Sequence, residues 1–184
     1  MSFTQTLQHR QEKQRLFEYF VLQLDKWRKS VSIISNPPFS KLQLQKLLFL
    51  TSAQDATEQN HPMLDMFDRF YALKYGPVEM DIYDAMTQGS FEALNFGDRF
   101  CEIHNDKVGF FDSIPDEQKT MVDDAIGLLK KRNPTYVLKD PFELVEITHG
   151  WTVWQIAMIM ADMSNSKMER MTTSDICNST QKIY

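Results

Sequence analysis

The sequence predicts a mainly α-helical domain with one small β-hairpin packed against the helices. Three observations carry that expectation. Apolar residues recur at helical spacing in segment after segment, and the breaks fall on proline, glycine or capping residues. Only the stretch around residue 105 carries the pattern of paired strands, too little for a sheet protein. The chain has 184 residues, 42% of them apolar, enough for one packed core.

Residues 9–31 read as an amphipathic helix, with Phe17, Phe20, Val21, Leu24 and Trp27 on one face and charges on the other. Asn36-Pro37-Pro38 then breaks the chain. Residues 1–35 are therefore expected to be an N-terminal helical extension and 36–184 the main domain. The extension either packs on the core, the simpler expectation for an apolar stripe, or serves as a dimer or partner helix.

The second helix has a full start signal. Ser40 is the N-cap, Gln43 at N3 completes a capping box, and Phe39 and Leu44 stand at the staple positions. Leu44, Leu47, Leu48 and Thr51 form one stripe and Leu42 and Phe49 another, so this helix should be central. Lys46, alone among charges between Lys41 and Asp55, must snorkel to water or meet an acid in a buried pair. Residues 57–65 are polar and read as a loop. Phe67, Phe70, Tyr71, Leu73 and Tyr75 then crowd toward Gly76, which can take a positive φ. Pro77 suits the N1 position of a helix with Glu79 and Asp81 in its first turn, Val78, Ile82, Ala85 and Met86 inward, and Gly89 as its stop.

Arg99–His104 and Val108–Phe111, joined at Asn105-Asp106-Lys107, form the hairpin candidate, which must lean on helices to be stable. A helix from Asp116 turns Met121, Val122, Ala125, Ile126 and Leu129 inward and closes at Asn133-Pro134. Asp140-Pro141-Phe142-Glu143 spells cap, N1 proline and N3 acid for a helix ending at Thr148-His149-Gly150. Thr152 restarts a helix carrying Ile156, Ala157, Ile159 and Met160. Residues 164–171 are a polar connection, and Thr172-Thr173-Ser174-Asp175 caps a last helix bearing Ile176 and Ile183.

Charge and motifs exclude several function classes. A net charge of −5 argues against nucleic-acid binding, which calls for a strongly basic face. No run of apolar residues is long enough for a transmembrane helix, and the start of the chain lacks a signal region. Cys101 and Cys177 lie far apart and read as free thiols of a cytoplasmic protein. There is no Gly-rich phosphate loop, no zinc helix, no nucleophile elbow and no CxxC, so no catalytic, cofactor-binding or metal-binding residue is assigned. His149, between Thr148 and the Trp151/Trp154 pair, is the one histidine in a suggestive setting. A hydrogen-bonded structural role is its ordinary explanation. Met158, Met160, Met163, Met168 and Met171 crowd the last third, either as core filler or as an adaptable binding surface. Tyr83 and Trp151 are the nominated partner contacts.

Three elements together carry a family resemblance: Lys46-Leu47-Leu48-Phe49, then Tyr75-Gly76-Pro77-Val78 with Tyr83, then Thr148-His149 with Trp154. In their order and spacing, over residues 40–184, the chain resembles the Panacea domain family, the SocA-like antitoxin group also labelled phage-associated protein. It departs from the family pattern after His149, where no proline follows. The resemblance implies a mainly helical domain with a small β element. It also implies a non-enzymatic antitoxin without cofactors, which neutralises a cognate toxin, usually encoded beside it, by direct contact. Two other readings stay open: a prophage-borne adaptor or regulatory protein for a protease or host factor, and an enzyme using His149. A homo-oligomer formed through the N-terminal helix is a further expectation.

Overall fold

The computed structural model describes residues 3–32, 36–104 and 108–181. Among them, eight α-helices surround two small antiparallel sheets, so the mainly α architecture with a minor β component is as expected. The chain begins with α1 (Phe3–Val31), α2 (Lys41–Ala53) and the short α3 (Pro62–Met66). A hairpin of β1 (Phe70–Leu73) and β2 (Gly76–Glu79) leads into α4 (Met80–Gln88), followed by β3 (Leu94–Phe96) and β4 (Cys101–Ile103). Then come α5 (Asp116–Arg132), α6 (Pro141–His149), α7 (Thr152–Met163), β5 (Glu169–Arg170) and α8 (Thr173–Cys177). One sheet has the order β2-β1-β5 and the other is the β3–β4 pair.

The core forms around α2, in which every residue from Leu44 to Ala53 is buried. Ser40 Oγ accepts the Gln43 N–H at 3.0 Å, as its cap position requires. The reciprocal half of the capping box is replaced. Gln43 Nε2 donates instead to the Lys139 carbonyl at 2.9 Å, tying the start of α2 to the loop before α6. Phe49 stands edge-on to Phe70 and to Trp151, with ring centroids 5.5 and 5.3 Å apart.

The apolar stripe of α1 faces the chain's own core. Leu16, Phe17, Phe20, Val21 and Leu24 are fully buried. Polar anchors reinforce it: Tyr19 Oη donates to Asp123 at 2.9 Å and Trp27 Nε1 to the Pro134 carbonyl at 3.0 Å. The Glu18 carboxylate accepts the Glu92 and Ala93 N–H groups at 2.8 and 2.5 Å. The face that the sequence offered to a dimer partner is thus already covered.

Three sequence expectations are corrected. The hairpin expected over 99–111 forms one strand earlier: β3 pairs with β4 through Leu94↔Ile103, Asn95↔Glu102 and Phe96↔Cys101. The other edge of β4 is taken by the approach to α2, with Cys101 N–H donating to the Phe39 carbonyl at 2.8 Å and Lys41 N–H to the Arg99 carbonyl at 3.0 Å. No edge is left for residues 108–111, and Val108–Ser113 is a 3-10 turn that sets Phe111 against Tyr19. Asn105-Asp106-Lys107 lie outside the described residues. Second, Pro77 opens no helix. It lies in β2, facing away from β1, where its missing N–H costs no ladder bond. The helix starts at Met80, capped by Glu79, whose carboxylate accepts the Ile82 N–H at 2.8 Å. Third, the expected loop at 57–65 gives way at Pro62 to α3, and the connection at 164–171 contains β5. α8 ends at Cys177, and Ile183 lies outside the described residues.

One buried ionic cluster locks α1 to the hairpin. The Lys13 amine is fully buried and donates to Asp68 at 2.7 Å, Glu79 at 2.8 Å and Asp81 at 2.7 Å. Arg69 reaches Asp81 at 2.5 Å from the rim. Burial disfavours charge on Lys13, but the three acids outweigh it and hold its pKa above the usual lysine value. For Asp81 too, burial opposes ionisation and is outweighed by Lys13 and Arg69, which hold its pKa below the usual range. Removing one partner of such a cluster leaves the others uncompensated. Replacing Lys13 by Met is expected to cost about 3–5 kcal/mol of unfolding free energy, read from urea denaturation at pH 7.

Candidate functional site

The three family-like elements, far apart in sequence, meet at one point beneath the β1–β2 hairpin. β2 is buried along its length, and only one of its edges pairs with β1. The other edge needs hydrogen-bond partners inside the core. α2 supplies them with two adjacent polar side chains. Gln45 Oε1 accepts the Glu79 N–H at 2.9 Å, while Gln45 Nε2 donates to the Glu79 carbonyl at 3.3 Å. Lys46 Nζ donates to the Pro77 carbonyl at 2.6 Å.

Lys46 therefore neither snorkels nor meets an acid. It is fully buried, and burial pushes its amine down to about 7. A neutral amine still donates, which is all that the Pro77 carbonyl requires.

Gly76 closes the turn at φ +87°, the backbone state a side chain rarely adopts. Space excludes a side chain there as well. A Cβ would stand 2.6 Å from Thr148 Oγ1 and 3.0 Å from Lys46 Cε. Thr148 is buried, and its hydroxyl donates to the Val145 carbonyl at 2.9 Å. The next residue, His149, stacks on Trp154 with ring centroids 3.8 Å apart and planes 12° from parallel. Trp154 Nε1 donates to the Leu73 carbonyl at 3.0 Å, binding α7 to the hairpin. His149 bonds the Lys74 backbone with one ring nitrogen, while Nε2 is buried with no partner. Burial holds its imidazole below the usual range, against the opposing pull of Glu146. Stacked and bonded to backbone, His149 orients the hairpin turn; no carboxylate bonds its ring among the described residues.

The remaining nominated residues divide sharply. Leu47, Leu48 and Phe49 are fully buried, and Val78 nearly so. Trp151 is core rather than surface: at 3% exposure its ring is packed against Phe49, and a partner cannot reach it. Tyr83 on α4 and Tyr75 at the hairpin tip are about half exposed, and Lys74 Nζ lies 5.5 Å from the Tyr75 ring centroid. Among the described residues, one group of carboxylates, Asp68, Glu79 and Asp81, is close enough to hold a metal ion. Lys13 already stands among them as the cation.

A different surface emerges on α7. This helix packs inward through Val153, Ala157 and Ala161 and turns four of its large residues outward. Ile156, Ile159, Met160 and Met163 are 58, 60, 53 and 84% exposed, at spacing i, i+3, i+4, i+7. Of the other clustered methionines, Met168 is also exposed, Met158 packs against the core and Met171 lies inside it. The stripe was visible in the sequence, but its direction was not. The competing signal was the small-residue ladder on the opposite face, which permits close approach to neighbouring elements.

A family model described as antitoxin SocA-like, Panacea domain, matches residues 44–155. No curated protein and no solved structure matches the chain.

Two outcomes test the buried joint. Gly76→Ala combines the positive φ with the Thr148 collision, and a loss of about 2–4 kcal/mol is expected from chemical denaturation. The second is pH dependence. Unfolded Lys46 keeps its proton to about 10.5, whereas the folded amine releases it near 7. Between these values the unfolded state binds more protons, so stability rises with pH, by at most about 1.4 kcal/mol per unit. Buried Cys101, pushed up to about 12, acts in the opposite sense above about pH 9. Denaturation midpoints of the wild type should therefore climb from pH 7 to 9, and Lys46→Met should flatten the climb.

Proposed function

We propose that this chain, which belongs to the antitoxin SocA-like, Panacea-domain family, is a non-enzymatic module that neutralises a toxin by binding it directly. The observation that carries the reading is the α7 stripe. Four large exposed apolar side chains, contiguous on one helix face, form the kind of patch that marks an interaction site. Methionine and isoleucine make an adaptable apolar contact surface for another protein. The stripe begins at Ile156, directly after the matched segment ends at residue 155. The shared part of the chain builds the scaffold, and the stripe supplies what distinguishes one partner from another.

The non-enzymatic part of the reading is supported by the setting of His149, which stacks on Trp154 and bonds backbone through one ring nitrogen, with no carboxylate on its ring among the described residues. Among the described residues, no helix is long and apolar enough to cross a membrane. Under this reading the protein acts in the cytoplasm, where its toxin is made, and needs no cofactor.

Co-expression with the product of the adjacent gene tests the proposal. The neighbour alone should arrest growth, and this chain should restore it. Ile159→Asp with Met160→Asp should abolish protection while shifting the melting temperature by no more than about 2 °C, as exposed substitutions do. A neighbour that is harmless alone, or still toxic beside the wild type, overturns the reading.

A further inference from the structure

A second surface, apart from α7, has the chemistry of a docking groove. A cleft of about 940 Å³ opens where the end of α1, the Pro37-Pro38 approach, the first turn of α2, the β3–β4 turn and the start of α6 come together. Its apolar lining includes three large side chains that water reaches: Phe100 at 48%, Leu138 at 37% and Phe142 at 62% exposure. Aromatic rings with neighbouring arginine are the composition of interface centres.

The charges around it are unequal in their commitments. Glu143 accepts from Lys139 at 3.2 Å and from the Asp140 N–H, and Asp140 caps α6 through the Phe142 N–H. Arg28 pairs with Asp25 at 3.0 Å, donates to the Pro37 carbonyl, and lies 3.7 Å from the Phe39 ring centroid. Lys41 and Arg99 line the same cleft, and their side chains make no hydrogen bond or ion pair with the described residues. Asp98 is the one acid in the lining left equally uncommitted among the described residues. The N-terminus of α2, capped by uncharged Ser40, adds the positive end of a helix dipole to the same wall. Of the charged side chains in this wall left without a partner among the described residues, two are cationic and one is acidic, so what the cleft offers beside its apolar anchors, on a chain of net charge −5, is positive.

We infer that this cleft receives an extended acidic peptide segment with aromatic side chains, contributed by a protein partner. Its acids face Lys41 and Arg99, and its rings pack among Phe100, Leu138 and Phe142. An enclosed small ligand fits less well, because such sites bury most of the ligand surface and two of these anchors stand about half in water. Electrostatic complementarity of this kind sets partner choice and association rate. The groove is defined by the chemistry it accepts and does not depend on that partner being a toxin.

The test is fluorescence anisotropy with two labelled probes, a peptide of alternating Glu and Phe and its counterpart with Lys in place of Glu. The acidic probe should bind the full chain at least about tenfold more tightly at low salt, and added salt should narrow the gap. In the double variant Lys41→Glu with Arg99→Glu the preference should reverse in favour of the basic probe. Phe142→Ala should weaken whichever probe binds. Both sets of substitutions are exposed or rim positions, and an unchanged thermal midpoint verifies that the fold persists. Equal binding of the two probes, no binding of either, or a preference unmoved by the charge reversal overturns the inference. Loss of toxin neutralisation through α7 with probe binding intact would leave the groove standing by itself.

Discussion

A strand edge buried in an apolar core must be satisfied by something, and the fold is arranged around that requirement. β2 lies too deep for water, and β1 takes only one of its edges. Each unpaired backbone group in such a place costs about 1–3 kcal/mol. Gln45 and Lys46 act as a stand-in strand, with side chains that reproduce the donors and acceptor a neighbour would present. This is why an otherwise apolar helix carries a glutamine and a lysine side by side at its deepest point. It also explains why the lysine is unpaired: its partner is a carbonyl, and a counter-ion would add a second desolvation cost with no further bond to make.

Seen this way, the family-like residues are parts of one joint. Lys46 reaches across to Pro77, Gly76 leaves room for Lys46 and Thr148, and Trp154 holds the hairpin from the far side through Leu73. Such a joint has little freedom to vary and little surface to offer. The exposed chemistry lies elsewhere, on the α7 stripe beyond the matched segment and in the cleft between α2 and α6. The buried joint and the exposed surfaces are thus physically separate.

Most helices were legible because their ends are local. The Asp140–Glu143 and Thr172–Asp175 boxes and the left-handed Gly89 stop are set by a few adjacent residues, and each is present. What the sequence left open depends on partners far away along the chain. The second hairpin was displaced because Phe39 and Lys41 occupy the edge of β4, which nothing near residue 105 reveals. The Lys13 cluster joins α1 to residues more than fifty positions away, and no charge run announces it. The outward turn of α7 follows from Ala157 and Ala161 fitting against the rest of the protein better than Ile159 and Met160 would. The cleft draws its lining from four separate segments, so no window of sequence contains it.

The first hairpin also governs when the chain can become fully folded as it is synthesised. β1 and β2 need Lys13 and α2 before them, and these are already available when the hairpin emerges. They also need Trp154, and β5 with Met171 to close the outer edge of β1, where the Met171 N–H donates to the Phe70 carbonyl at 3.0 Å. Those residues come late. At ordinary rates of translation, the hairpin waits on the order of ten seconds with one edge open. During that interval the nascent chain exposes an unpaired strand edge, the feature that chaperones and proteases recognise and that favours wrong pairing. The hairpin is held by segments that precede it and closed by segments that are synthesised after it.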